Sequence, residues 1–257
     1  MPWSGGGFEF PAYVSVKTRR ERARAVAEKI ARKQKRNLAS IGPIDGNKLV
    51  RTFWGKAWCD NLESYGDYAN RLPRGRSYAR HGAVIDLQIA AGKITALVSG
   101  SSTYEIDVTI RRLPPKSWSE MASECTGQID SLVDLLRGKL PAQVMEVVTR
   151  KAGGLFPAPT QISFTCSCPD WAGMCKHIAA TLYGVGVRLD QKPELLFELR
   201  GVDHAELVRG AADAVPRPRN GAKSRKVIEG ADLSALFGIE LESSRPAIAA
   251  GKPRRRK

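Results

Sequence analysis

The run FTCSCPDWAGMCKH, residues 164–177, gathers three of the chain's five cysteines and one of its three histidines. Cys166 and Cys168 form a Cys-x-Cys pair, and after a six-residue spacer Cys175 and His177 form a Cys-x-His pair. Three thiolates and one imidazole are a donor set that satisfies the tetrahedral preference of zinc. Four protein donors leave no position for a water, so the expected site holds one structural zinc and does no hydrolysis. Metal binding is coupled to folding, because the thiols must lose protons and be gathered together. His177 is expected to coordinate through one ring nitrogen and to donate the other to a second acceptor. An iron–sulfur cluster is the rival, although it normally takes four thiolates at looser spacing. No Cys-x-x-Cys is present for dithiol redox chemistry. Cys59 and Cys125 lie far from the run and read as buried free thiols.

These donors need a strand and a helix to aim them. An i, i+2 cysteine pair fits a strand end or turn, and QISFTCSC reads as a short strand. Pro169, Asp170 and Gly173 turn the chain back, and a helix over residues 176–186 follows, with Ile178, Leu182 and Val185 on its apolar face. Upstream, three segments alternate with period two. Ile85, Leu87 and Ile89 alternate with Asp86 and Gln88; Ile94, Ala96 and Val98 with Thr95 and Ser99; Tyr104, Ile106, Val108 and Ile110 with Glu105, Asp107, Thr109 and Arg111. Gly92 and Gly100 can supply positive φ at the turns between them. The pattern predicts a meander with one buried and one wet face. Helices are expected over 117–138, stopped by Gly138, from Pro141 to about Arg150, and over 193–213. The fold class is α+β: an antiparallel three-stranded meander with helices, plus a small zinc-finger subdomain of strand, turn and helix.

Charge points to a polyanion. Of 257 residues, 41 are Lys or Arg and 26 Asp or Glu, for a net charge of +15, and a basic surface neutralises phosphates and releases counterions. Residues 17–37 hold ten Lys or Arg against two Glu. Ala23, Val26, Ala27 and Ile30 fall at helical spacing, so this stretch predicts a basic amphipathic helix. Its phosphate-contacting candidates are Arg19, Arg22, Lys29, Arg32, Lys33 and Arg36. Residues 53–80 interleave aromatics with Arg71, Arg74 and Arg76, further candidates for nucleic acid. Trp54 and Trp58, at i, i+4, fit one buried helix face, and Tyr65 and Tyr68 stand among the basic residues. Past Val215 a Pro-, Gly- and charge-rich linker leads to Leu233, Leu236, Phe237 and Ile239, an apolar patch suited either to a partner's groove or to the chain's own domain, and then to a basic tail.

The Cys-x-Cys…Cys-x-His pattern, with Pro169 and Asp170 after the second cysteine and a helix after the histidine, resembles the SWIM-type zinc finger. The segment FWGKAWCDNLESYGDYANRLPRGRSYARHGAVIDL, the three strands and the late LSALFGIEL also resemble bacterial SWIM zinc finger proteins. That resemblance implies a zinc-binding module for DNA binding or protein–protein contact, associated with Swi/Snf-type helicases, and no catalytic residues. The expected organisation is an N-terminal arm with a basic helix (1–37), an α+β region (38–150), the SWIM-type finger with following helices (151–213), and a linker, apolar motif and basic tail (214–257).

Enzyme signatures are weak. No Gly-x-x-x-x-Gly-Lys-Ser/Thr loop occurs, and the SGGG of residues 4–7 lacks the lysine and the helix. Asp86, Glu105 and Asp107 could gather around magnesium, but their alternation places them on the polar face of the sheet, where acids are ordinary. His81 and His204 read as surface or loop residues. No small-molecule substrate is expected. No segment approaches the ~20 apolar residues of a membrane span, and no basic-then-apolar leader opens the chain. With clustered cysteines this predicts a cytoplasmic protein, associated with the nucleoid if DNA is the partner.

Overall fold

The computed structural model describes residues 13–64, 66 and 70–208. The first helix, α1 (Val16–Lys33), begins where the Ser15 side chain accepts from the Thr18 N–H at 3.1 Å. Its buried residues are Ala23, Ala27 and Ala31, small enough to lay the helix close against a sheet. Val26, expected in that stripe, is 45% exposed, and Ala31 takes its place.

Helices α2 (Phe53–Glu63) and α3 (Leu72–Arg80) precede strands β1 (Val84–Ala90), β2 (Lys93–Ser99) and β3 (Thr103–Ile110). Three helices follow, α4 (Pro115–Cys125), α5 (Leu132–Arg137) and α6 (Ala142–Thr149), then strand β4 (Ile162–Cys166) and helices α7 (Lys176–Gln191) and α8 (Glu194–Arg200). The single helix expected over 117–138 is two, separated at residues 126–131. Gly138 does stop the second, at φ 69°, and Gly201 at φ 69° ends α8 well short of residue 213.

The sheet has four strands, not three, in the order β1-β2-β3-β4, every pair antiparallel. The strand expected to belong to a zinc-finger subdomain is β4, which is hydrogen-bonded to β3 with Ile110 opposite Ile162. The cysteine run is therefore continuous with the main sheet.

Tyr104, Ile106, Val108 and Ile110 face the main core as expected. In β1 the pairing shifts between Val84 and Asp86, so two residues stand where the ladder needs one. Val84 joins Leu87 in the main core, whereas Ile85 turns to the opposite face with Leu97, beneath Ala23 and Ala27 of α1. The second face is thus wet along β3 and covered by α1 over β1 and β2. Beneath that cover lies Asp86, predicted to be a solvated acid but 2% exposed. Arg36 donates to it at 2.6 Å, and the Ala39 N–H and Gln88 amide complete its shell at 2.9 and 2.8 Å.

Helix α7 crosses the other face and carries α2 and α3 on its outer side. Of its sixteen residues twelve are buried, so its surroundings demand small contacts on every side. Gly75 of α3 supplies one of them: a Cβ there would stand 2.3 Å from the Cβ of Ala179. Asp190 near the end of α7 accepts from the Arg51 and Thr52 N–H groups at 2.6 and 3.0 Å, fixing the start of α2. Trp54 and Trp58 are core residues, 0% and 3% exposed, and their indole N–H groups donate to the Leu135 and Leu182 carbonyls at 3.0 and 2.8 Å. No helix of the described residues is long and apolar enough to cross a membrane.

Candidate metal centre

Cys166 is the last residue of β4 and pairs with Ile106. The ladder runs on for one residue more, because the Ser167 N–H donates to the Glu105 carbonyl at 3.0 Å and the Glu105 N–H donates to the Ser167 hydroxyl at 2.9 Å. This fixes the Cys-x-Cys turn at the open end of the sheet. Asp170 bends the following loop by accepting from the Ala172 N–H at 3.2 Å, and Arg71, the N-cap of α3, holds it at 3.4 Å. Cys175 is the N-cap of α7, with extended backbone and a sulfur that accepts from the Ile178 N–H at 3.5 Å. His177 stands in the first turn, its carbonyl accepting from the Thr181 hydroxyl at 3.0 Å.

Strand end and helix start thereby bring Cys166, Cys168, Cys175 and His177 together, with one donor atom from each lying within 4.8 Å of every other. Nδ1 of His177 is 3.8 Å from the Cys175 sulfur and 3.9 Å from that of Cys166. Sulfur and nitrogen donors bound tetrahedrally to one ion sit roughly 3.5–3.8 Å apart. The cluster could hold one metal ion. Three sulfurs and one nitrogen suit a soft or borderline cation and not magnesium or calcium, which take oxygen.

The electrostatics fit a cation at the centre. The hydrogen bond from Cys166 drives the Cys175 thiol down to about 3, against the opposing effect of burial, with help from His177 and the Ile178 N–H. The same bond, and then burial, raises Cys166. Sulfurs this close favour sharing one proton between them, and a cation bound there would take that proton's place. Cys59 and Cys125 are different: burial pushes them to about 12 and about 11, as expected of inert core thiols.

The imidazole is clamped by rings, Tyr104 at 4.3 Å and Tyr78 edge-on at 5.6 Å. Its Nε2 is buried and has no hydrogen-bond partner among the described residues, so the expected second acceptor is not found there. Beside it lies Gly100, whose missing Cβ would stand 2.9 Å from Nε2 and 2.6 Å from the Tyr104 ring. Gly92 takes the positive φ expected at its turn, 72°, whereas Gly100 does not; it is required for space.

The other sequence candidates divide. Arg22, Lys29, Arg32 and Lys33 of α1 are exposed, and Arg19 is half-buried. Arg36 is committed to Asp86, Arg76 to Glu63 and the face of Tyr183, and Arg71 to Asp170, whereas Arg74 is exposed. Asp86, Glu105 and Asp107 line one cleft but form no metal-ligating cluster among the described residues: Asp86 pairs with Arg36 and Asp107 with Lys93 at 2.9 Å. His81 is exposed, and His204 lies against Phe197 at 5.5 Å. Tyr65 and Tyr68, the apolar patch of Leu233, Leu236, Phe237 and Ile239, and the basic tail lie outside the described residues. One residue escaped sequence reasoning altogether. Trp171, between the two ligand pairs, is 100% exposed; its place in a Pro-Asp-Trp turn, away from any periodic segment, was the available signal.

No family model matches the chain, and no solved structure matches it. An uncharacterized protein of Mycobacterium tuberculosis is 36% identical over 169 residues, which are 65% of this chain and 61% of that protein. The chain thus spans less than two thirds of the length of the relative it matches.

Proposed function

We propose that the chain is a SWIM-type zinc protein that binds nucleic acid, with a structural zinc on Cys166, Cys168, Cys175 and His177 and the exposed face of α1 as its main phosphate contact. Zinc is the choice among soft cations because it is redox-inert and accepts tetrahedral sulfur and nitrogen donors. With all four positions held by protein, the ion orders β4 against α7 and activates no water.

The observation that carries the nucleic-acid reading is the row formed by Arg22, Lys29 and Lys33. At spacings of i, i+7 and i+11 they share one side of α1, and all three are exposed. None of the three has a carboxylate partner among the described residues. A rise of about 1.5 Å per residue spreads them over about 16 Å, the reach of several backbone phosphates. Trp171 adds an aromatic face on which an unpaired base can stack.

Titration of the zinc-loaded chain with single- and double-stranded DNA and RNA at two salt concentrations tests this reading. Affinity should fall steeply with salt, and Arg22→Gln/Lys29→Gln/Lys33→Gln should lower the log–log slope by about one for each phosphate that is no longer neutralised. Absence of binding to every oligonucleotide at low salt overturns it.

A further inference from the structure

A cleft of about 270 Å³ opens between the first turns of α1, the last turn of α3 and the outgoing end of β2. Arg19 and Arg20 line it from α1, Ser77 from α3 and His81 from the residue that caps it, and Ser99 from the sheet, with no carboxylate among its lining residues. Neither arginine has an ion pair among the described residues. The Nε of Arg19 is buried with no hydrogen-bond partner among them, and a charged donor removed from water without an acceptor is costly. His81 donates its Nδ1–H to the Ser77 carbonyl at 2.7 Å, which leaves Nε2 as the nitrogen available to a ligand.

We infer that this cleft binds a phosphate group. Two guanidinium groups offer forked donors that match phosphate oxygens, and the Ser77 and Ser99 hydroxyls add further donors. Val16, the first residue of α1, lines the same cleft, so the positive end of an eighteen-residue helix faces it as well. The volume exceeds that of a bare phosphate, and the Tyr78 ring forms part of the wall; the group attached to the phosphate has a surface to lie on. The phosphate can belong to a small compound or to a nucleic-acid strand. The site goes beyond the zinc and nucleic-acid reading and does not depend on it.

The test is a calorimetric titration of the full, zinc-loaded chain with inorganic phosphate against a chloride blank of equal ionic strength. Saturable binding is expected in the wild type. It should weaken at least tenfold in Arg19→Gln/Arg20→Gln and persist in Lys139→Gln/Lys192→Gln, which removes the same charge at two exposed positions outside the cleft. Ser77→Asp, which places a carboxylate in the cleft, should abolish binding independently, with metal content and melting temperature showing that each variant is folded. No saturable binding in the wild type, or an equal loss in the lysine pair, overturns the assignment. A second arm uses oligonucleotides with and without a 5′-phosphate. Preference for the phosphorylated strand assigns the cleft to a strand end. Equal affinity with competition by inorganic phosphate assigns it to backbone phosphate. Phosphate binding without oligonucleotide binding assigns it to a small compound, and in that case the nucleic-acid reading fails while the cleft stands.

Discussion

Arg36 and Asp86 stand 50 positions apart in the chain, and their guanidinium nitrogen and carboxylate oxygen are 2.6 Å apart. The pair fastens the end of the basic helix to the bulged first strand. Arg36→Gln leaves a buried carboxylate short of its strongest donor and should cost roughly 3 kcal/mol, the low end for a buried pair because Arg36 keeps some exposure. Urea unfolding of the zinc-loaded chain at neutral pH measures it, and an effect below ~0.5 kcal/mol would show that the pair is solvated.

The same carboxylate sets an acid limit. Burial pushes Asp86 up, but donation from Arg36, the Ala39 N–H and Gln88 outweighs it, and the group titrates below its ordinary value. A folded value lower than the unfolded one gives stability that is complete above the unfolded value, about 3.9, and lost as pH falls through the folded one. Asp86→Asn should therefore lose less stability than the wild type between about pH 4 and the folded value. Urea midpoints followed across that range in both proteins should converge towards low pH; parallel curves would contradict it.

Gly75→Ala tests the close approach of α3 and α7. The new Cβ would meet the Cβ of Ala179 at 2.3 Å and backbone atoms at 2.8 and 2.9 Å, so a helix must move. A loss of about 3 kcal/mol is expected, at the upper end for overpacking. Thermal unfolding of the zinc-loaded chain reads it, and Ala179→Gly in the same chain should restore part of the loss.

Gly100→Ala acts on the metal through its ligand. The added methyl presses on Nε2 of His177 and on the Tyr104 ring, turning the imidazole from the sulfurs. Metal affinity should fall by about tenfold or more, as for other groups that orient a ligand. Competition with a chromophoric chelator measures it, and unchanged affinity would mean that the ring has room to adjust.

Removal of the metal should be far more damaging than loss of either core thiol. Chelation, or Cys175→Ser, should lower the melting temperature steeply, because an ion held by the four residues would tie β4 to α7 and Cys175 also caps the helix. Cys59→Ala should leave the metal-to-chain ratio at one. Elemental analysis of the purified chain gives both the ratio and the identity of the metal.

Much of this arrangement was legible in the residues. The cysteine spacing located a strand end and a helix start, and both stand where Cys166 and Cys175 needed them. The alternation of Tyr104, Ile106, Val108 and Ile110 reported the core face of β3 correctly, because that strand pairs without a bulge and is wet on its other side. In β1 the same logic misplaced Ile85, since a bulge shifts the period by one residue and period alone cannot announce it. Asp86 read as a solvated acid because nothing local shows that a helix over fifty positions upstream will lie across it. The fourth strand was recognised as a strand, but its neighbour, β3, depends on pairing across a long stretch of chain, which periodicity does not encode.

The four candidate ligands lie within a span of twelve residues, whereas Ile162 must find Ile110 across some fifty positions. Loop-closure entropy grows with the logarithm of length, so the short ring forms at a cost lower by about 1 kcal/mol. The short ring is therefore expected to close first: a captured metal would join the end of β4 to the start of α7 before the sheet closes, and the joined piece would then dock as one body. On that order, metal should raise the refolding rate as well as lower the unfolding rate, which stopped-flow refolding with and without a chelator measures.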